Sequence, residues 1–182
     1  MKITNISNRI IFGLFAALAL SLCIPQTVFC QKEKLGIVSY TPPKGWTKTR
    51  PKGAKTTPEN LVQYRHTNKT TATFCVVTLY GATNGTGIPD KDFDSEWNIL
   101  AVKPFKAAAN PPRIPVLSIE GWTIISGGSE IEFKGRNTKI LLNVFSGFGK
   151  AFSVLTISDD KSYKPQVQAF IESFVLDKPT AP

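Results

Sequence analysis

The stretch GWTIISGGSEIEFKGRNTKILLNVFSGFGKAFSVLTI, residues 121–157, decides the fold. It reads as three strands in a row. The turns between them fall at Lys134-Gly135-Arg136-Asn137 and at Ser146-Gly147-Phe148-Gly149. Links this short make the neighbouring strands antiparallel. In detail the strand segments are 116–126, in which Gly121-Trp122 marks the start of the main strand, then 130–134, 138–146 and 150–158. Near the end of the stretch, Phe152 and Val154 oppose Leu155 and Ile157, so both faces are apolar. A helix over 161–174 follows directly. Its stripe is Tyr163, Val167, Phe170, Ile171 and Phe174, and Pro165 is tolerated in the first turn. Residues 175–177 then leave the domain, and 178–182 form a short polar tail.

Working back toward the N-terminus, residues 71–81 are the strongest strand of the first half, rich in Val, Thr, Phe and Tyr. Phe74, Val76 and Tyr80 point one way; Cys75, Val77 and Leu79 point the other. A strand apolar on both faces belongs in the middle of a covered sheet. Between this strand and the later ones lies a helix that Asp90 or Asp92 can cap. Its stripe is Phe93, Trp97, Leu100 and Ala101, and Pro104 ends it. Residues 37–41 and 61–66 read as strands, 31–36 as a charged leader, and 47–58 as a basic loop without periodicity. The expected class is therefore α+β: an antiparallel sheet with a helix on each face, an α/β/α sandwich in the order strands, helix, strands, helix.

The whole chain has 182 residues, 42% of them hydrophobic and 19% charged, enough to bury the core of one ordinary domain. The first thirty residues are read apart from it. Lys2 and Arg9 precede a mostly apolar run over 10–24 of about fifteen residues, short of the roughly twenty that a membrane helix needs. This is the pattern of a secretory signal peptide, with small residues Val28 and Cys30 placing cleavage after Cys30. Export to a periplasmic or extracellular space is expected. Phe29 before Cys30 and Leu22 before Cys23 fit a lipid-anchoring signal poorly. After cleavage Cys75 is the one cysteine left, so the expected domain 37–177 is held by packing and not by a disulfide.

The segment Ser39-Tyr40-Thr41-Pro42-Pro43-Lys44-Gly45-Trp46, the mid-chain helix with Trp97, the long meander and the closing helix ending in Ser173-Phe174 together resemble the PsbP-like (Mog-type) fold family. The resemblance covers about residues 37–176. It implies an exported protein of binding or envelope assembly, since such relatives share a shape and not a chemistry.

The candidate chemistry is thin. His66, the sole histidine, stands at a strand end beside Arg65 and Thr67 and reads as exposed in a polar setting. One histidine also makes a zinc site hard to complete. Cys75 sits among Phe74, Val76 and Val77, a setting that buries a thiol and raises its pKa. Asp90, Asp92, Asp94 and Glu96 invite a calcium reading, but Ser95 and Ala101 stand where an EF-hand needs Gly and Glu, which leaves acids at a helix N-terminus. Glycines 81, 85 and 87 lack the Gly-Lys-Ser/Thr ending of a phosphate loop. Asn68-Lys69-Thr70 and Asn84-Gly85-Thr86 match glycosylation sequons that matter in a eukaryotic host.

The feature with a functional reading is the basic loop. Lys48, Arg50, Lys52 and Lys55 follow Trp46, in a chain of net charge +9. They suit an anionic membrane or glycan surface, or an acidic envelope partner. Export and the lack of a stacking motif argue against nucleic acid. The expectation is a non-catalytic binding or envelope-assembly protein with no cofactor and no metal. The alternatives are a charge-driven binder of anionic surfaces and a hydrolase using carboxylates such as Asp94, Glu96 or Glu130.

Overall fold

The computed structural model describes residues 31–49 and 60–178. The expected signal peptide 1–30, its cleavage site, most of the basic loop (50–59, with Arg50, Lys52 and Lys55) and the end of the tail (179–182) lie outside the described residues. Among the described residues, ten strands and two main helices make an α+β fold. In chain order they are β1 (Glu33–Leu35), β2 (Val38–Tyr40), β3 (Thr47–Thr49), β4 (Leu61–Thr67), β5 (Phe74–Asn84), α1 (Pro89–Trp97), β6 (Arg113–Ile119), β7 (Trp122–Phe133), β8 (Arg136–Gly147), β9 (Lys150–Ser158), α2 (Lys164–Glu172) and β10 (Val175–Leu176).

Seven strands form one antiparallel sheet in the order β3-β4-β5-β9-β8-β7-β6, and β1-β2-β10 form a small second one. The meander expected over 121–157 is β7, β8 and β9, turned at Lys134-Gly135 and Phe148-Gly149, all four with positive φ. Chain order does not equal sheet order: β9 inserts between β5 and β8. That places β9 at the centre, and its seven residues from Ala151 to Ile157 are all buried.

The two-sided reading of the central strands holds. One apolar cluster gathers Cys75, Val77, Leu79, Phe145, Phe152 and Val154 with Tyr40 of β2 and Val167 and Phe170 of α2. The other gathers Phe74, Leu142, Val144, Leu155 and Ile157 with Phe93 and Trp97 of α1. Alternate residues of β5, β8 and β9 thus enter different clusters, as a period of two requires. Phe145 stacks on Phe152 with centroids 4.3 Å apart, and Phe174 adjoins both rings.

Several boundaries differ from expectation, each for a local reason. Strand β7 is continuous across Gly127-Gly128, where a break was expected. These glycines are spacers: a Cβ on Gly127 would lie 2.5 Å from the Phe93 ring, and one on Gly128 would lie 2.9 Å from the Ile140 carbonyl oxygen. The glycine at 121 is a turn instead, with Glu120 at φ 50° and Gly121 at φ 86° separating β6 from β7. Strand β5 starts at Phe74 and runs on to Asn84, three residues past the expected end. Residue Ala72, at φ 55°, breaks the chain just before it.

Helix α1 starts at Pro89, whose missing N–H costs nothing in the first turn. Neither Asp90 nor Asp92 caps it; Ile88 occupies that position without a side-chain cap. Pro104 does not end it. The chain widens into a π-helical turn over Asn98–Val102, and Pro104 falls in the first turn of the short helix Lys103–Phe105, where a missing donor is tolerated. The closing helix is shorter than expected: a 3-10 turn, Lys161–Tyr163, capped by Asp160, precedes α2, which ends at Glu172. The leader contains β1, Thr47–Thr49 is a strand and not loop, and Val175-Leu176 pairs with Val38-Ser39 of β2 in place of leaving the domain. Such two- and three-residue strands carry no period; their partners create them.

Replacing Phe152, fully buried between Phe145 and Trp122, with alanine is expected to cost about 3–5 kcal/mol in urea unfolding.

Candidate binding surface

Of the residues expected to form a site, Trp46 and Lys48 lie among the described residues. Trp46 is half-buried in an aromatic group with His66 at 5.8 Å and Tyr163 at 6.2 Å between centroids, and its Nε1 donates to Gln166 Oε1 at 3.3 Å. This corrects the polar, exposed reading of His66. The histidine is half-buried against Trp46 and Tyr163, and its Nδ1 is buried with no partner among the described residues. Neither Trp46 nor Tyr163 is near His66 in sequence; the β3–β4 pairing brings Trp46 alongside it and the turn before α2 brings Tyr163, which is why the neighbours were invisible beforehand.

Lys48, exposed on edge strand β3, is committed to an ion pair with Glu33 Oε2 at 2.6 Å. The same oxygen accepts from the hydroxyls of Tyr40 and Tyr64, each at 2.9 Å. One carboxylate therefore ties β1 to β2, β3 and β4, linking the small sheet to the large one. Burial pushes the Glu33 carboxyl up, but Lys48 and the two hydroxyls outweigh it and hold the carboxyl below its ordinary range. Burial, with Glu33 adding to it, pushes Tyr40 up to about 12.

The acids over 90–96 are engaged by donors from other elements. Arg113 of β6 donates to Asp90 Oδ1 at 2.7 Å and to Asp94 Oδ1, and lies over the Phe93 ring at 4.7 Å. Asp92 is almost fully buried and turns inward. Its Oδ2 accepts from Ser146 Oγ at 2.5 Å, and its Oδ1 accepts from the Thr86 amide at 2.7 Å. Burial opposes ionisation there, yet these donors hold the carboxyl below its ordinary value. One turn on, Glu96 Oε2 accepts from Ser153 Oγ at 2.9 Å. Burial and the nearby Asp92 charge outweigh that bond and raise the Glu96 pKa. Acids on one helix face thus pin α1 to serines of β8 and β9. Sequence spacing shows that they share a face, but not that serines await them.

Cys75 is fully buried, and burial pushes its thiol up to about 12, a structural cysteine and a poor nucleophile. Glu130 is exposed on β7. An open depression of about 470 Å³ lies at the β7–β8 hairpin, lined by Ile131, Glu132, Gly135 and Asn137, a set without a nucleophile or a basic side chain. Two features had no sequence signal: the Glu33 cluster and a buried polar strip in which Ser126 Oγ donates to Asn143 Oδ1 at 2.6 Å.

No protein-family model matches the chain, and no curated protein matches it in sequence. Among solved structures it is similar to one from Bacteroides thetaiotaomicron VPI-5482, with TM-score 0.54 and 11% identity over 84% of this chain and 50% of that one. The chain thus spans half the length of that structure. It is also similar to cyanobacterial PsbP (CyanoP) from Synechocystis sp. PCC 6803, with TM-score 0.49 and 12% identity over 84% of this chain and 96% of that one. A third likeness is to LpqN, involved in cell envelope biogenesis of Mycobacterium tuberculosis, with TM-score 0.41 and 9% identity over 78% and 83% of the two chains. At such identities the likeness is one of fold alone.

Two substitutions separate the acids of α1. Asp92→Ala strands the Ser146 hydroxyl and the Thr86 amide and is expected to cost about 1–3 kcal/mol at neutral pH. Glu96→Gln has the opposite sign. A carboxyl whose folded pKa is raised contributes its stability at low pH and loses it as pH rises through the folded value. Urea unfolding at pH 7 is therefore expected to find Glu96→Gln more stable than wild type, the gain vanishing toward pH 4.

Proposed function

We propose that this chain is an exported, non-catalytic binding or envelope-assembly protein, and that its contact surface is the Trp46–Lys48 end of the sheet together with the basic residues that follow it. The observation that carries the reading is the commitment of the acids over 90–96. Asp90 and Asp94 are held by Arg113, Asp92 by Ser146 and Thr86, and Glu96 by Ser153. These bonds give each carboxylate a structural task, which speaks against the hydrolase reading. Strand β3 delivers the chain directly into Arg50, Lys52 and Lys55. Removing Lys2 and Arg9 with the signal peptide leaves a net +7 from the +9 of the whole chain, which favours an anionic partner. In the same reading the large sheet is the middle layer of an α/β/α sandwich. Two apolar clusters support this, one holding residues of α1 and the other residues of α2. Export rests on the N-terminal pattern.

The test is co-sedimentation with vesicles carrying an anionic phospholipid and, separately, with an acidic polysaccharide. Changing Lys48, Arg50, Lys52 and Lys55 together to Gln is expected to lower retention by tenfold or more at low salt, and raising salt is expected to do the same to wild type. Retention indifferent to both changes contradicts the charge-borne surface. Turnover of an ester or glycoside substrate that disappears in Glu96→Gln contradicts the non-catalytic reading.

A further inference from the structure

The register gathers several turns at one end of the large sheet. Thr67 of β4 pairs with Phe74 of β5, Cys75 with Ser158 of β9, and Ser158 with Lys139 of β8. The β4–β5 turn, the β7–β8 turn and the start of the 3-10 turn before α2 therefore lie together. Arg136 joins two of them, donating to the Ala72 carbonyl at 2.5 Å and to Asp159 Oδ2 at 2.8 Å. Phe105, at the end of the helical run that follows α1, reaches the same place, its ring 5.8 Å from Phe133.

Five lysines stand here: Lys69, Lys106, Lys134, Lys161 and Lys164, all exposed. Among the described residues the ion pairs use Lys34, Lys48, Arg113 and Arg136, and none of the five. The acids of this end are mostly engaged. Asp159 accepts from Arg136 and the Phe74 amide, Asp160 caps the 3-10 turn, and Glu130 lies opposite Lys139. Among the described residues the other end, where α1 starts and the Glu120-Gly121 and Phe148-Gly149 turns lie, has Lys91 and Lys150 against Asp90, Asp92 and Glu120.

Four of the five lysines stand where local structure favours another residue. Lys134 and Lys106 have φ of 54° and 59°, left-handed positions that Asn or Gly fill more readily. Lys161 and Lys164 sit at the N-terminal end of α2, where the helix dipole opposes a cation. Folding asks for lysine at none of these four positions. Departures of this kind from local preference mark positions kept for function.

Resting on the anionic-partner reading, we propose that the partner is an anionic lipid bilayer, and that Lys106, Lys134, Lys161 and Lys164, with Lys69 beside them, meet its headgroups. Charge complementarity selects an anionic occupant, and the shape of this end selects a plane. The lysines stand on turns spread from β4 to β7, four strand spacings or about 20 Å. The depression at the β7–β8 hairpin, lined by Ile131, Glu132, Gly135 and Asn137, has no cation to seat a small anion. Separate cations on turn tips suit a leaflet, where each adds its own attraction. Strand β3 starts at this end and runs away from it, so these lysines are a set of cations separate in the chain from those after Thr49.

The experiment compares two variants of residues 31–182, a compact unit of their own, each short of four cations. One carries Lys106→Asn, Lys134→Asn, Lys161→Gln and Lys164→Gln; the other carries Lys48→Gln, Arg50→Gln, Lys52→Gln and Lys55→Gln. Co-sedimentation at low salt with vesicles of phosphatidylglycerol and phosphatidylcholine is expected to show the affinity of the first variant lowered by about a hundredfold. Vesicles of phosphatidylcholine alone are expected to retain no protein. The urea-unfolding midpoint of the first variant is expected to equal or exceed that of wild type, since its four changes relieve local conflicts. Wild-type retention of the first variant, with loss in the second, overturns the proposal and leaves the charge-borne surface at the basic loop standing. Equal loss in both variants overturns it too, because net charge alone then suffices. Wild type held by an acidic polysaccharide and not by vesicles overturns the bilayer as partner. A first variant less stable than wild type overturns a functional reason for the four lysines, and indifference of both variants defeats the anionic reading as a whole.

Discussion

Strand β9 has no face to spare. Its neighbours β5 and β8 occupy both edges, its side chains enter two apolar clusters, one holding residues of α1 and the other residues of α2, and every residue from Ala151 to Ile157 is buried. A strand enclosed on four sides cannot slip by one residue, because a slip would exchange the two apolar sets. It cannot be built in chain order either. It must enter between β5 and β8, and that insertion joins the first half of the chain to the meander. The remaining elements take their places from it: β4 and β3 beyond β5, β7 and β6 beyond β8, and the small sheet, through Tyr40 and Glu33, against Tyr64.

Polar groups at this centre are spent on holding the layers together. Ser146 and Ser153 point toward α1 and meet Asp92 and Glu96; Asp159 accepts from the Phe74 amide at 2.7 Å and from Arg136 at 2.8 Å. A carboxylate so engaged is poorly free for chemistry, because breaking its bonds leaves buried donors unpaired. In the proposed reading recognition falls to the Trp46–Lys48 end and the basic residues that follow it in sequence, even though Lys48 also holds Glu33.

The sequence was most readable where burial is densest. The period of β5 and β9, the turns at Lys134-Gly135 and Phe148-Gly149, and the stripe Tyr163–Val167–Phe170 follow from local pattern, because a residue's face is fixed by its neighbours in sequence. Readings failed where the cause lies far along the chain. Strand β10 exists because β2 is there to pair with it, and β7 crosses Gly127 because Phe93 fills the space that a side chain would take. The same holds for the sites. Trp46 and Lys48 were singled out from the local run of cations, but Glu33, which claims Lys48, lay in the segment read as a leader. His66 was placed in a polar setting because the rings that flank it are twenty and ninety-seven residues away in sequence.

The central claim is that β9 is the enclosed strand on which the rest depends. Native-state hydrogen exchange of residues 31–182 tests it most directly. The amides of β9, with those of β5 and β8 bonded to it, should exchange only through global unfolding, while those of β3, β10 and the outer side of β6 exchange by local opening far sooner. Exchange of β9 as fast as the small sheet, or protection concentrated in β1, β2 and β10, would contradict the account.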